Sequence, residues 1–352
     1  MKVAFVNSTH RWGGVKTWCI DMASAMQAQG HQTCIVGRPG PFLEKAEALG
    51  LRARAVRFGP DLNPLLIAHF IRFFRKEQVD WVVLNVAKDM RSAGVAARLL
   101  RIPICQHIGA DGDLVNSLKI RLTQRLMKPH LLTCSDFVAV ELRRRIPSFA
   151  GEDITALHPG TTPADRPPEA VHDPMVFVTT SQLIQSKGLD DFLRALAILK
   201  SRKLPFKAIL VGVGNAQDDL KKLARELEIE DRLQWAGFQT NVQLYLRKGD
   251  IFVLPSYREP LSIALEEAMA QGLIPVARRA GGVPEIWPSD LNSFLFKPDR
   301  GVEEMATIFE RILTAPADQA YEWKLQAWEH AKRAFPLDKQ CAKLLAWMEE
   351  RS

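Results

Sequence analysis

No apolar run in this 352-residue chain approaches the roughly 18 residues needed to cross a bilayer. The opening residues, MKVAFVNSTHRWGG, lack the long apolar core and small-residue cleavage site of a signal peptide, and they read as a first β-strand. Cysteine is scarce: Cys19, Cys34, Cys105, Cys134 and Cys341 are odd in number, scattered, and in no C-x-x-C spacing. They read as buried thiols of a reduced, cytoplasmic protein. No low-complexity tract is present either, which leaves an ordinary globular composition long enough for two domains.

What the chain has is basic charge, unevenly placed. The formal net charge is +7. Residues 1–165 hold 22 Lys and Arg against 14 Asp and Glu, whereas residues 166–352 hold 25 against 26. The whole excess lies in the N-terminal half, where it calls for an anionic partner such as an acidic lipid, a phosphorylated substrate or nucleic acid. Nucleic acid is disfavoured, because the basic residues lack interleaved aromatics or a recognised binding motif.

Short apolar runs alternate with amphipathic stretches: KVAFVN, a helix over 15–29, HQTCIVG, ARAVRF, the helix NPLLIAHFIRFFRKEQ, DWVVLN, a helix over 91–100, IPICQHI and HLLTCS. Alternation of this kind predicts an α/β chain with doubly wound parallel sheets covered by helices on both faces. The pattern loosens at 160–174, rich in proline and charge. It restarts with MVFVTTS, a helix over 188–201, FKAILVGVG, a helix over 216–228, LQWAG, a short helix near 241–248, DIFVLPS and IPVARR. The expected organisation is a Rossmann-like domain over 1–163, a linker over 164–174, a second Rossmann-like domain over 175–335, and a C-terminal helix over 336–352 packing back on the first domain.

Doubly wound sheets bind ligands beyond the carboxyl ends of their strands, so the residues after each strand carry the functional reading. After the first strand, Gly13 and Gly14 precede a helix and leave its amides open to an anion; a tight turn explains the pair equally well. Gly212 and Gly214 open another helix but lack the third glycine of a dinucleotide fingerprint, and no lone acid ends the next strand, so NAD is not expected. Lys187 stands in a loop before a helix, either as a solvated charge or as a counter-charge to phosphate. In SYREPLSIALEEAMAQG (256–272), Ser262 is the expected N-cap and Gly272 the residue past the helix end, which aims the first-turn amides at an anion. Glu259 precedes the cap. Glu266 and Glu267 are roughly 100° apart round the helix, so at most one of them is expected to function. Carboxylates here suit a hydroxyl-rich ligand, although acids also favour helix N-termini for the dipole alone.

The stretch SYREPLSIALEEAMAQGLIPVARRAGGVPE (256–285) resembles the nucleotide-sugar site of family 4 retaining glycosyltransferases (glycosyltransferase group 1) of the GT-B fold. Glu259 and Glu267 have that family's spacing, and Gly281, Gly282, Pro284 and Glu285 supply its following loop. VGVG, WAGF and IFVLPS fall in the family order, and the N-terminal GG and AQGHQTCIVG match too. The resemblance implies two Rossmann-like domains facing across a cleft and a donor site on the C-terminal one. It implies Glu259 on the sugar hydroxyls, Pro260 and the backbone amides of Leu261, Ser262 and Ile263 around the distal phosphate, and Glu267 on the ribose. Lys187 would balance the diphosphate, with Gly13 and Gly14 approaching from the other domain. The base would meet the loops after Gly212 and Gly214 and around Phe238, and His107 would position groups at the reaction centre. Gln182 stands where the family has arginine, with Arg258 or Lys16 as compensating cations.

These roles describe a retaining, metal-independent transfer from a nucleotide-diphosphate sugar, UDP favoured, to a glycan or lipid-linked acceptor in bacterial cell-surface polysaccharide or lipopolysaccharide synthesis. The alternatives are a sugar-nucleotide epimerase or phosphorylase of the same architecture, or a non-catalytic relative. Asp111-Gly112-Asp113 is read as a turn or acceptor loop and not as a metal site. The segment 116–129 sets Leu118, Leu122 and Leu126 on one helical stripe and Arg121, Arg125 and Lys128 on another. That is either a core helix with a solvated basic face or a peripheral contact with anionic membrane. Glu266 is left as a surface acid.

Overall fold

The computed structural model describes residues 1–10 and 12–352. The chain divides into two compact units, Met1–Pro159 with Leu337–Ser352, and Gly160–Pro336.

In the first unit, the described residues form β1 (Lys2–Asn7), β2 (Gln32–Gly37), β3 (Arg52–Ala55), β4 (Trp81–Leu84), β5 (Ile104–Ile108), β6 (His130–Thr133) and β7 (Ile154–Ala156). They make one parallel sheet in the order β3-β2-β1-β4-β5-β6-β7. Strands β4 and β5 are buried at every residue, as apolar runs covered on both faces must be. Val82, Leu84, Phe70, Phe74, Ala93 and Ala97 belong to one apolar core.

In the second unit, β8 (Val176–Thr180), β9 (Lys207–Val211), β10 (Leu233–Gly237), β11 (Ile251–Leu254), β12 (Ile274–Arg278) and β13 (Leu295–Phe296) form a parallel sheet. Their order is β10-β9-β8-β11-β12-β13. In each sheet the order reverses once, between β1 and β4 and between β8 and β11, and that reversal opens a crevice at the carboxyl edge.

Several details differ from the sequence reading. Strands β7 and β13 have three and two residues, too short to carry a periodicity. The helix expected over 91–100 begins at Ala87 and passes through a π-helical turn, Met90–Gly94, before Val95–Leu99. The segment 164–174 is attached to the second unit: the Ala164 amide donates to Ala270 O at 2.9 Å, and Pro168 packs at Gly272. His172 meets the buried carboxylate of Asp250, which also accepts from Lys324 at 3.0 Å. The helix Leu337–Glu349 lies in the first unit. Trp347 Nε1 there donates to Thr155 Oγ1 at 2.9 Å, and Arg351 pairs with Asp153 at 2.8 Å. No helix among the described residues is long and apolar enough to cross a membrane.

The helix Leu118–Met127 is capped by Ser117, whose hydroxyl accepts from the Ile120 amide. It buries Ile120 and Thr123 and exposes its leucines: Leu118, Leu122 and Leu126 are 73%, 54% and 55% exposed. The core-helix reading of that stripe is therefore corrected, because the leucines face outward.

Candidate functional site

In the second unit, the loops after β8, β9, β11 and β12 are knitted together at the carboxyl edge, and glycine makes this possible. A Cβ on Gly212 (φ +140°) would lie 1.9 Å from Ser181 O, and one on Gly214 would lie 2.1 Å from Leu183 O. The backbone after β9 thus touches the backbone after β8, with Leu183 N donating to Val213 O between the two glycines. Gly188 (φ +63°) packs in the same manner on Pro255 O. The Gly282 amide donates to Glu259 O at 3.0 Å, tying in the loop after β12.

Across the reversal between β8 and β11, Lys187 Nζ donates to Glu259 Oε2 at 2.8 Å. These side chains are 22% and 8% exposed. The two residues are 72 positions apart and come from the two loops that flank the crevice. The helix Ile263–Ala270 begins just beyond, with Ser262 as its cap accepting from the Leu265 amide. Ser262 has φ +102°, a conformation that costs a non-glycine residue on the order of 1–3 kcal/mol and is found mostly where function over-determines the backbone. Leu261 is buried, and Pro260 and Ile263 are partly buried. Gly272 (φ +75°) follows the helix end. Glu267 is partly buried, whereas Glu266 is fully buried. The expectation that Glu266 is a surface acid is therefore wrong: this helix packs on β11 and β12 and also against the helix Ala317–Ala334, so it has two covered sides. Gln182 and Phe238 are exposed, as is Arg258.

A buried arginine holds the loop from behind. Arg278 ends β12, donates to Pro255 O at 3.0 Å and to Pro298 O at 2.7 Å, and pairs with Asp191 at 2.6 Å. Asp191 also accepts from Tyr257 Oη at 2.9 Å. Sequence reasoning did not single out Arg278, since an arginine at a strand end has no pattern that marks it as buried.

In the first unit, Gly13 caps the helix Gly14–Ala28 with φ −177°, extended backbone that any residue adopts, and nothing among the described residues lies within 4 Å of where its Cβ would be. Among the described residues nothing there requires glycine, and no side chain at the cap position bonds to the first-turn amides. Lys16 is buried, donates to Thr9 O at 2.8 Å and has its pKa lowered by burial, so its ammonium is engaged within its own unit. His107 ends up inside: it is 1% exposed and stacked on Trp18 with ring centroids 3.7 Å apart. Burial pushes its pKa down to about 3, so the ring is neutral near pH 7.

Its tautomer follows from its neighbours. Asn85 Oδ1 accepts from Asn7 Nδ2 at 3.4 Å and from Cys19 Sγ at 3.1 Å. Asn85 Nδ2 therefore faces His107 Nδ1, 3.2 Å away, as the donor. The imidazole proton must then sit on Nε2, which has no partner among the described residues. Beside this chain, Asp89 is fully buried, accepts from the Ser8 amide at 3.1 Å, and leaves Oδ1 without a partner. Burial raises its pKa to about 7. Asn85 and Asp89 were missed in the sequence; the only signal is their place after β4, next to the sheet's reversal point.

The Asp-x-Asp motif is spent on structure. Asp113 Oδ2 accepts from the Gly109 and Ala110 amides at 3.1 and 2.8 Å, and Asp111 pairs with Arg145 at 2.7 Å. No group of three metal-ligating side chains occurs among the described residues.

Known families match both units. Residues 162–329 match the family described as Glycosyl transferases group 1, and residues 12–165 the one described as Glycosyltransferase Family 4. The lipopolysaccharide core biosynthesis glycosyltransferase LpsD of Rhizobium meliloti is 31% identical over 282 residues, covering 77% of this chain and 76% of that protein. The chain belongs to the family 4, group 1 glycosyltransferases. The amylovoran biosynthesis glycosyltransferase AmsK of Erwinia amylovora is 31% identical over 158 residues, 43% of this glycosyltransferase, and the matched part spans only 39% of AmsK. The crystal structure of Anabaena HepE in complex with UDP-glucose superposes with a TM-score of 0.78 at 21% identity, over 98% of this chain and 99% of HepE. The two parallel-sheet units are thus those of the GT-B fold.

Proposed function

We propose that this glycosyltransferase is retaining and metal-independent, moving a sugar from a nucleotide-diphosphate sugar, UDP favoured, to a glycan or lipid-linked acceptor in bacterial cell-surface polysaccharide or lipopolysaccharide synthesis. The observation that carries the reading is the Lys187–Glu259 pair at the reversal of the second sheet. A cation and a carboxylate side by side, next to a capped helix N-terminus, suit a ligand with adjoining phosphate and hydroxyl groups. The names of LpsD and AmsK support the acceptor class, and the UDP-glucose held by HepE supports the donor class.

In this reading Lys187 and the amides of Leu261, Ser262 and Ile263 hold the diphosphate, Glu259 the sugar hydroxyls, and Glu267 the ribose. Gly212, Gly214, Gln182 and Phe238 border the nucleotide. The bond from the anomeric carbon to the phosphate oxygen breaks with its electron pair leaving on the diphosphate. The acceptor oxygen bonds to the same face of that carbon, and its proton passes to a phosphate oxygen. His107, neutral with its proton on Nε2, positions a hydrogen-bond acceptor and takes no proton itself. The protein works in the cytoplasm, with the exposed leucines of Leu118–Met127 and the neighbouring Arg121 and Arg125 resting on anionic membrane.

The test is nucleoside-diphosphate release from UDP-, GDP- and ADP-sugars with and without lipid-linked acceptors, in chelator, with the product's anomeric configuration read by NMR. Acceptor-dependent release with retained configuration is expected. Interconversion of sugar nucleotides without an acceptor would mean an epimerase, inverted configuration would remove the front-face step, and failure in chelator would remove metal independence.

A further inference from the structure

One backbone amide sets the direction of every hydrogen bond that leads to His107. Thr9, just after β1, donates its backbone N–H to Asn7 Oδ1 at 3.0 Å and its hydroxyl to the same atom at 2.6 Å. A backbone amide can only donate, so that atom of Asn7 is the oxygen and the other is its NH2 group. The NH2 lies 3.4 Å from Asn85 Oδ1, which also accepts from Cys19 Sγ. The remaining NH2 of Asn85 faces His107 Nδ1 at 3.2 Å. The N–H of residue 9 thus determines, through two side-chain amides, that His107 carries its proton on Nε2.

Buried polar atoms are nearly always paired, and each link from Thr9 to Nδ1 obeys that rule. Asn7 and Asn85 are both 2% exposed, so water does not compete for their amides. The start of the chain is held too: Lys16 donates to Thr9 O at 2.8 Å and Arg38 to Ser8 O at 2.7 Å. Around it stand Cys19 and Cys105, whose thiols burial keeps protonated, together with Asp89 and Lys16. Only the far end breaks the rule, since the Nε2 that holds the proton has no partner among the described residues. Packing alone gives no reason for a fully directed chain to end on an unused donor.

We propose that Asn7, acting through Asn85, is a positioning residue of the transfer reaction, keeping His107 in the tautomer that offers an N–H to the substrates. Such a donor stabilises an oxygen that gains negative charge in the transition state, whereas a lone pair at Nε2 would repel it. The proposal rests on the placement of His107 at the reaction centre given above, while the direction of the chain does not.

The test is Asn7→Asp, which keeps the shape and the oxygen that Thr9 binds but puts a second oxygen in place of the NH2. Asn85 must then turn its NH2 to that oxygen and its Oδ1 to His107, which moves the ring proton to Nδ1. Nitrogen-15 NMR of the histidine-labelled full chain reads the tautomer without any ligand, the His107 resonances being those lost in His107→Gln. Between about pH 6 and 9 the wild type should stay Nε2–H, and so should Thr9→Val, which retains the backbone amide. Asn7→Asp should show a protonated Nδ1 at the upper end of that range, where its carboxyl is ionised. There kcat should fall roughly tenfold or more with the donor KM unchanged, measured with the donor and acceptor that support release in the assay above. As pH falls the carboxyl regains a proton and can donate to Asn85, so kcat should recover, a dependence that lost stability would not produce. An Nε2–H ring throughout in Asn7→Asp would overturn the chain, whatever His107 does in transfer. An inverted tautomer with unchanged kcat would overturn the positioning role. Full activity in His107→Gln would instead remove His107 from the reaction centre, and the positioning role with it. Should Asn7→Asp fail to fold, Asn85→Asp makes the same exchange one link nearer and is read on the same resonances.

Discussion

Replacing Glu259 by glutamine should tighten the binding of free nucleoside diphosphate while impairing sugar transfer. Lys187 Nζ lies 2.8 Å from Glu259 Oε2, so a diphosphate at this ammonium must compete with that carboxylate for it. The Lys187 side chain is 22% exposed and keeps part of its hydration, which limits the net worth of the pair to about 1–1.5 kcal/mol. Removing the competing charge should therefore lower the Kd for UDP roughly tenfold. Lys187→Met should do the reverse and also destabilise the fold by about 2–3 kcal/mol, because it leaves the buried Glu259 without its partner. Calorimetry with UDP reads the affinities and thermal unfolding reads the stabilities. Should Glu259→Gln bind UDP no more tightly, and Lys187→Met bind it as well as wild type, Lys187 does not face phosphate and the reasoning fails.

Gly212→Ala, with its Cβ 1.9 Å from Ser181 O, should cost at least about 2–3 kcal/mol, visible as a fall in Tm of roughly 5–10 °C. Burial raises the Asp89 pKa from 3.8 to about 7. The folded state thus keeps a proton that the unfolded state has lost, and stability declines as pH rises between those values. Asp89→Asn should remove that decline, gaining up to about 4 kcal/mol at pH above 7 and little near pH 4, as denaturant midpoints at the two pH values will show. Asn85→Leu should lower kcat about tenfold to a hundredfold with the donor KM unchanged, since it frees the His107 ring without touching the second unit. Gln182→Arg should raise kcat if the missing positive charge limits the departure of the diphosphate, by up to about a hundredfold.

The architecture was legible because the strands are apolar runs and the helices carry ordinary stops. Ser262 and Gly272 bracket their helix where the sequence places them. Lys187, Gly212 and Glu259 stand out in the sequence one at a time, each after its own strand, as candidates. Their assembly depends on the order β9-β8-β11, which no local pattern encodes. Glu266 was misjudged for a related reason: a polar residue on a helix face reads as exposed, but the helix Ala317–Ala334 covers a second side of this one. The leucines of Leu118–Met127 show the converse, a helical apolar stripe turned to solvent. Asn85 and Asp89 carry no motif, and they acquire meaning only when the sheet sets β4 between β1 and β5.

The central claim is that the loops flanking the second sheet's reversal bind a nucleotide diphosphate, with Lys187 on phosphate and Glu267 on ribose. Calorimetric titration of the wild type and of Lys187→Met, Glu267→Gln with UDP, GDP and ADP tests it most directly. The account predicts saturable binding of at least one of them by the wild type, weakened more than tenfold in the variant by loss of a charge-assisted contact and a ribose hydrogen bond. Binding of none of the three, or equal binding by both proteins, would contradict it.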